Sequence, residues 1–475
     1  MTRATSAIIA LGLLTSAARV RADPDVAQVL AKASGVPGGL TSDQVADAVR
    51  ATSPAVAVRT AELAAAAATV DQARSAYLPH LSLTARYRRL SSIQPAPFGN
   101  IVIATDPSTG VLAPGASLTS TPLAFPVLLN ETTFDAQLVV PISDDLLRVA
   151  REVAAARQTE DAARFSEDAE RRNAIAEARV AYYAWARSRL SAIVAADAVR
   201  QAELHLADVQ QRAAADRASS ADVMAVQAQR AAAMQLQVRA DGLARVAEAQ
   251  VRIALRLDAS AGELAIGEDL GHDLTLADPG SDAALLADAI ANRPELRAAG
   301  ATAEAFVDEA QAAVYGALPR LDLIADVTSA DPNLRYVPTE DTFHTTWAIG
   351  AQVTWTLSDV PGELARARGL RARATAARAE RVVLVDVLHG EVADSAAAVR
   401  EAASAQITTA NGLASAEESY RVRRELFREG RATSTELSDS ETALTRARLD
   451  SVAARIDARV AAVRIAHAVG RDGGH

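Results

Sequence analysis

The acidic residues at the start of the last predicted helix are the clearest candidates for chemistry. Glu436 and Asp439 are three positions apart, about one helical turn, so both carboxylates lie on one face of that helix. Asp222 takes the place of Glu436 in an earlier, similar segment, and Arg217 and Arg431 precede these acids by a few residues. Such carboxylates could attract cations, with the arginines as partners. The alternative is a set of solvated charges on the first turn of a helix.

Residues arranged for catalysis or for a metal site are missing from the sequence. The single lysine, Lys32, is not in a glycine-rich loop, which argues against nucleotide hydrolysis. The histidines are scattered, no His-Glu-x-x-His or Gly-x-Ser-x-Gly pattern occurs, and cysteine is absent. We therefore expect no enzyme activity, no cofactor and no metal. A net charge of -10 also argues against nucleic acid as a partner, because phosphate binding needs a basic surface.

The N-terminus has the pattern of a secretory signal peptide. Arg3 supplies the positive region, an apolar run extends from Ala7 to Ala18, and Val20-Arg21-Ala22 is an acceptable cleavage site. We expect residues 1–22 to be removed, so that the mature chain begins near Asp23. No later stretch of eighteen or more consecutive apolar residues follows, so the sequence predicts no transmembrane helix.

The chain repeats itself with a long period. Pro54 and Pro294 lie in similar text separated by 240 residues (294 − 54), and residues 78–83 and 318–323 share the same offset. Later, Arg217 and Arg431 begin similar six-residue segments separated by 214 residues (431 − 217). The offset falls because the first half contains a longer insertion, residues 91–130. Its richness in Pro, Gly and Thr predicts a loop.

Each half predicts two strands followed by a long helical hairpin. Leu81, Leu83, Ala85 and Tyr87 alternate with polar residues, and the same alternation occurs in three further segments, which gives four strands per chain. A half-buried soluble sheet is one interpretation. Against it, each half has only one pair of strands, and an isolated two-stranded ribbon is marginal in water.

Long proline-free segments predict the helices. They cover approximately residues 146–212, 220–257, 362–428 and 433–469. Only 4% of residues are aromatic and alanine is abundant, which favours helices whose backbones approach closely. Interleaved Arg, Asp and Glu indicate solvated coiled-coil helices. The predicted organisation is a signal peptide at 1–22, a first repeat at 23–257, a linker or equatorial segment at 258–292, and a second repeat at 293–475.

Together these features resemble the TolC-like outer-membrane efflux proteins. The resemblance lies in the signal peptide, the duplication, the unequal helical hairpins, and a Leu-Pro-x-Leu-x-Leu strand opener at residues 78–83 and 318–323. It implies a mixed α and β membrane protein. Four strands per chain would enter a trimeric 12-stranded outer-membrane β-barrel, and long coiled-coil helices would form a periplasmic α-barrel. An open sheet edge cannot face lipid, so three chains would supply the missing edges.

The resemblance also implies a function. A homotrimer in the outer membrane, with a large periplasmic portion, would give passive exit to substrates delivered by an inner-membrane pump and a periplasmic adaptor (membrane fusion protein). Drugs, metal ions and secreted polypeptides all leave through such ducts, and the pump chooses among them. The competing interpretation is a periplasmic coiled-coil adaptor or structural protein. An adaptor normally has one hairpin between small β domains, whereas this chain predicts two hairpins and two strand pairs.

Three groups of residues receive roles through the resemblance. Glu436 and Asp439 match paired acids at the periplasmic aperture, where threefold symmetry would stack them into two rings that prefer cations and have a raised proton affinity. The other candidate residues of this aperture gate are Asp222, Arg217 and Arg431. Two departures concern the turns. Asp216 replaces a glycine such as Gly430, and Ala432 occupies a position where a gating arginine is common.

The turns and the strands supply the other two groups. Helix tips interlock only where side chains are short, so we expect the turns to dock the adaptor through four small residues, Ala218, Ser219, Ala432 and Thr433. Simple helix capping would explain the same Ser and Thr. Trp347 and Trp355 share one strand face and could mark the two interfaces of outer-membrane lipid; ordinary core aromatics are the alternative. The loops at 91–130 and 329–345 should lie outside the cell, and the hairpin turns should face the inner membrane.

Overall fold

The computed structural model describes residues 26–94, 99–104, 114–122, 127–258 and 262–471. The expected signal peptide, residues 1–22, and its cleavage site lie outside the described residues, as do parts of the predicted loop at 91–130. Among the residues that are described, no helix combines the length and the apolar character needed to cross a membrane.

The alternating segments form one antiparallel sheet. In chain order the strands are β1 (His80–Arg89), β2 (Asn100–Ala104), β3 (Leu118–Pro122), β4 (Asn130–Val140), β5 (Arg320–Asp331) and β6 (His344–Thr354). Strands β1, β4, β5 and β6 are neighbours in that order, so β4 of the first repeat pairs with β5 of the second. The four predicted strands therefore make one sheet that ends in two edge strands, β1 and β6.

Strands β2 and β3 lie within the segment that composition predicts to be a loop. They pair antiparallel as a separate two-stranded ribbon, with Ile101 opposite Thr121 and Ile103 opposite Thr119. The Pro and Gly content of residues 91–130 obscured these short runs of β-branched residues, whose stiff side chains favour an extended backbone.

Helices account for most of the chain. They are α1 (Val26–Ala33), α2 (Ser42–Thr52), α3 (Pro54–Ser75), α4 (Ile142–Asp144), α5 (Ala150–Ala214), α6 (Ser220–Ala254), α7 (Asp282–Asn292), α8 (Pro294–Gly316), α9 (Val360–Arg428) and α10 (Ser434–Ala468). Four of them, α5, α6, α9 and α10, have 35 residues or more. A π-helical turn at Asp145–Val149 joins α4 to α5. The starts of α2 and α7, and of α3 and α8, differ by 240 residues (282 − 42 and 294 − 54). The tandem duplication and the long helical hairpins predicted from the sequence are therefore confirmed.

Local chemistry fixes both hairpin turns. Gly430 ends α9 in a left-handed conformation, with φ of 77°, and Asp216 adopts the same conformation after α5, with φ of 55°. Aspartate tolerates this region better than most residues, so the departure from glycine at 216 leaves the turn unchanged. Each return helix then begins with a capping box, Ser219 with Asp222 and Thr433 with Glu436.

The described residues divide into two compact units. The first comprises the described residues within Met1–Ser53, Arg171–Ala289 and Gly390–His475, and the second comprises those within Pro54–Glu170 and Ile290–His389. Each unit draws on both repeats, so the repeats are a division of the sequence rather than of the fold. In the first unit, aliphatic residues of α7, α9 and the end of α10 form one core cluster, which consists of Leu285, Ala289, Val392, Ala396, Ala468 and Val469.

The second unit holds the sheet and a small alanine-rich helical core. Ala310 and Ala313 of α8 pack on Ala367 and Leu370 of α9, with Phe306 beside them. At the start of strand β5, the backbone N–H of Leu321 donates to Ser143 Oγ at 2.8 Å. Small alanine side chains let the helices of this core approach closely, as the composition predicts.

The described part of the linker before α7, residues 262–281, has little regular structure and packs on the helices of the first unit. Leu40 and Ile266 form a parallel bridge between the N-terminal segment and the linker. Farther along, Gln406 of α9 both donates to the carbonyl of Leu274, at 3.1 Å, and accepts from its N–H, at 2.8 Å. Arg459 of α10 donates to two further linker carbonyls. These contacts satisfy linker backbone groups without secondary structure.

Candidate functional site: hairpin turns and an apolar sheet face

The two hairpin turns of the first unit pack against each other. Val209 and Val226 of the first hairpin form a buried cluster with Phe427 and Leu437 of the second. The guanidinium of Arg212 lies 4.1 Å above the centre of the Phe427 ring. Of the residues that the sequence assigns to the aperture and to docking, Ala218 and Ala432 pack against this cluster. We call the cluster of Val209, Val226, Phe427 and Leu437 the tip cluster.

Glu436 has two roles in the chain itself. Its carboxylate accepts the backbone N–H of Thr433 at 2.9 Å, which closes the capping box, and it pairs with Arg423 at 2.6 Å. Hydrogen bonds from the Thr433 backbone and side chain, with a smaller contribution from Arg423, hold the pKa of Glu436 below its ordinary value. This shift is opposite in direction to the raised proton affinity expected of crowded acid rings, which would require neighbouring chains.

Asp439 lies one turn farther along α10 and is exposed, as Glu436 is, whereas Leu437 and Ser440, which follow the two acids directly, are buried. Within the described part of the chain, Asp439 forms no ion pair. Both carboxylates therefore face away from the tip cluster, on the side of α10 that is open to solvent. This arrangement is the one that a pair of acids facing a water-filled aperture requires.

The remaining candidate gate residues do not join this pair. Asp222 caps α6, and hydrogen bonds from the side chain and backbone of Ser219 lower its pKa. Arg217 is exposed, and Arg431 contacts Glu429 at 3.3 Å rather than Glu436. The sequence did not predict Arg423 as the partner of Glu436. The signal was available, because both residues are nearly equidistant from the turn at 430 and an antiparallel hairpin brings such residues together.

The four candidate docking residues fall into two kinds. Ala218 and Ala432 are half-buried and pack against the tip cluster. Ser219 and Thr433 are exposed N-caps whose hydroxyls accept the backbone N–H of Asp222, at 3.1 Å, and of Glu436, at 3.2 Å. Capping thus accounts for both hydroxyl residues, and packing requires the small size of both alanines. The exposed neighbours at the second position of each return helix, Ala221 and Thr435, remain open to a partner.

One face of the four-stranded sheet in the second unit is apolar and exposed. Directly paired residues of antiparallel strands share a face, and the registers join Leu83 to Ala136, Ala136 to Val327, and Val327 to Trp347. The exposed large side chains on this face include Leu81, Leu83, Tyr87, Phe134, Leu138, Leu323, Val327, Trp347, Ile349 and Val353. The opposite face is mainly polar and carries Thr84, Arg86, Asp135, Asp326 and Gln352. Exposure of the apolar face to water would be unfavourable, whereas in a membrane lipid would cover it.

The two candidate tryptophans of the membrane belt differ in setting. Trp347 lies inside β6 and is 68% exposed, and Trp355 follows the last strand residue and is 53% exposed. The indole N–H of Trp355 donates to the carbonyl of Ala317 at 3.1 Å, which ties that end of the strand to the segment after α8. An apolar ring with a satisfied N–H is suited to the boundary between lipid and water.

Comparisons with known proteins agree with this geometry. Residues 285–471 match the family model of the outer membrane efflux proteins. The fold is similar to that of the outer-membrane channel OprN, with a TM-score of 0.70 and 19% identity over 91% of this chain and 90% of that one. It is also similar to the CmeC outer membrane channel of Campylobacter jejuni, with a TM-score of 0.71 and 13% identity over 91% and 86% of the two chains. No curated relative matches the chain.

A third similar structure is the outer membrane protein VceC of Vibrio cholerae, with a TM-score of 0.68 and 17% identity over 90% of this chain and 96% of that one. The resemblance to TolC-like outer-membrane efflux proteins, and the mixed helical and antiparallel fold, are thereby confirmed. The expected outer-membrane location agrees with the same matches. The gate, docking and belt residues remain predictions.

Proposed function

We propose that the chain forms a trimeric outer-membrane channel that gives passive exit to substrates delivered by an inner-membrane pump through a periplasmic adaptor. The observation that carries this proposal is the exposed apolar face of the four-stranded sheet, opposite a polar face. A membrane barrel needs this pattern, with apolar residues toward lipid and polar residues toward the lumen.

The edges of the sheet support the proposed threefold assembly. Strands β1 and β6 lie at its two ends, and an edge strand in lipid would leave backbone N–H and C=O groups without hydrogen bonds. Pairing β1 of one copy with β6 of the next removes every edge, and three copies give twelve strands. The function proposed is conduction without a chemical step. A periplasmic adaptor explains the structure less well, because an adaptor is surrounded by water and an exposed apolar sheet face would be unfavourable there.

The lipid-facing assignment predicts a fluorescence result in single-tryptophan variants. Trp347 and Trp355 should be strongly quenched by lipids that carry a quencher in their acyl chains, whereas Trp185, which is fully buried, should not. Eight residues of strand span roughly 26 Å, less when tilted, so the two belt residues should respond most strongly to quenchers at different depths. Protection of both to the level of Trp185, in channels reconstituted with measurable conductance, would contradict the assignment.

We also propose that the hairpin turns dock the adaptor. Because Ala218 and Ala432 support the tip cluster, the informative positions are the exposed Ala221 and Thr435. Ala221→Trp and Thr435→Trp should weaken adaptor binding about tenfold, as expected when a bulky side chain is poorly accommodated at an interface. Binding to the purified adaptor, measured calorimetrically, checks this.

The matched control for docking is Gln235→Trp, at an exposed position four turns along α6. It should leave adaptor binding unchanged, and all three variants should keep the wild-type conductance. Equal adaptor affinity in the tip variants and in the control would place the docking surface elsewhere.

A further inference from the structure

His205 of α5 is a buried histidine with partners on both ring nitrogens. Only 3% of its surface is exposed. Nδ1 lies 3.1 Å from Glu441 Oε2, and Nε2 lies 3.2 Å from Ser434 Oγ. Both partners are themselves buried and belong to α10, more than two hundred residues away in sequence. The ring therefore joins the first hairpin to the start of the last helix.

The two hydrogen bonds of His205 hold the first two turns of α10 against α5. Ser434 is the first residue of the helix, and Glu441 lies seven residues farther along, on the same face. The opposite, exposed side of these two turns carries Glu436 and Asp439. Any movement of the start of α10 away from α5 must break both bonds to His205 and must also displace the two acids.

The other two helices of the tip reinforce this contact. Gln229 of α6 donates from Nε2 to the same oxygen of Glu441, at 2.9 Å, and also accepts from Ser438. Phe427 of α9 packs edge-on against the imidazole, with the ring centres 5.3 Å apart and an angle of 76° between the planes. His205 thus contacts α9 and α10 directly and shares a carboxylate with α6.

The donors and acceptors of His205, Glu441, Gln229 and Ser434 match one another. The ionised carboxylate of Glu441 accepts hydrogen bonds from Gln229 and from Nδ1–H of the ring. Nε2 accepts from the Ser434 hydroxyl in a neutral ring and donates to it in a charged ring, so the hydroxyl has a partner in either form. Breaking the contact without a replacement would leave a buried carboxylate and a buried hydroxyl short of partners, which is costly inside a packed helix bundle.

We propose that His205 is a positioning residue for the aperture, which pins the start of α10 to α5 and so holds Glu436 and Asp439 in the closed arrangement. This inference rests on the proposed channel function and adds a means of regulation to it. Opening would require that the Ser434–His205–Glu441 contact be released. Loss of one of its bonds should therefore favour the open state.

Two buried serines of α10 provide a matched test. Ser434 bonds to His205, whereas Ser440 donates to the carbonyl of Leu437 in its own helix, at 2.7 Å. Ser434→Ala should raise the open-to-closed ratio in planar-bilayer recordings about fivefold, the factor that loss of one typical hydrogen bond produces. Ser440→Ala loses a buried hydroxyl of equal size and should gate like the wild type. The thermal midpoints of the two variants should be alike.

The outcomes separate the two proposals. Equal gating in Ser434→Ala and Ser440→Ala, in a chain that conducts and selects cations, would overturn the role of His205 and leave the channel intact. A wild-type chain that forms no conducting unit would instead overturn the proposed function. A rise in the open-to-closed ratio confined to Ser434→Ala supports the positioning role, because a general loss of stability would affect both variants equally.

Discussion

Removing the charges of Glu436 and Asp439 is expected to abolish most of the cation preference of the channel and its block by multivalent cations. In a threefold assembly these residues give six carboxylates around one aperture. Six negative charges around one opening attract cations and repel anions, and dissolved salt screens this effect. At low ionic strength we expect at least a tenfold fall in the cation-to-anion permeability ratio, measured from reversal potentials in a salt gradient.

The choice of substitution decides what this measurement means. Glu436 completes the capping box of α10 by accepting the backbone N–H of Thr433, so Glu436→Ala would remove a charge and also loosen the start of the helix. Glu436→Gln with Asp439→Asn keeps the size and an acceptor oxygen, and glutamine closes a capping box as glutamate does. The double variant should lose selectivity and block while its thermal midpoint stays close to that of the wild type, because the lost ion pair with Arg423 is exposed.

A control lies in the other hairpin. Asp222 caps α6 through Ser219, as Glu436 caps α10 through Thr433, and Asp222→Asn removes one charge per chain from the corresponding position. If the aperture is formed by α10, this variant should keep nearly all of the cation preference. Unchanged selectivity in the double variant, or equal losses in the double variant and in Asp222→Asn, would show that Glu436 and Asp439 do not line the constriction.

The helices could be predicted because their signals are local, and the duplication could be predicted because similar text recurs in the sequence itself. A capping residue, a glycine or aspartate in a left-handed conformation, and the absence of proline each act within a few residues, and they place the turns at Asp216 and Gly430. Alternation likewise identifies the four sheet strands. The ribbon of β2 and β3 escaped prediction because two five-residue strands lie between segments rich in loop residues.

Contacts between distant segments could not be predicted. The pairing of β4 with β5 joins the two repeats, and nothing in either strand alone specifies that register. His205 looked like one scattered histidine, because Ser434 and Glu441 follow it by 229 and 236 residues. Such contacts depend on how the hairpins pack, which the hydrophobic pattern of a single helix does not determine.

The largest effect on stability is expected from an added methyl group at Gly267. The N-terminal segment and the linker cross here, where Gly267 N–H donates to the carbonyl of Leu40 at 2.8 Å beside the bridge of Leu40 to Ile266. A Cβ at Gly267 would lie 2.3 Å from the carbonyl oxygen of Gly39, and a Cβ at Gly39 would lie 2.7 Å from the Gly267 nitrogen. Neither glycine has a positive φ, so the requirement is purely steric.

Backbone atoms cannot move aside as a flexible side chain can, so Gly267→Ala must separate the two segments and break their hydrogen bonds. We expect a loss of about 3 kcal/mol in the free energy of unfolding of the first unit, at the upper end of the range for overpacked sites. Gly242→Ala is the matched control, because it lies inside α6 with open space around it and should stabilise the helix by about 0.5–1 kcal/mol. Thermal unfolding of both variants in detergent measures the difference. Equal midpoints would show that the crossing relaxes freely and that the linker does not depend on it.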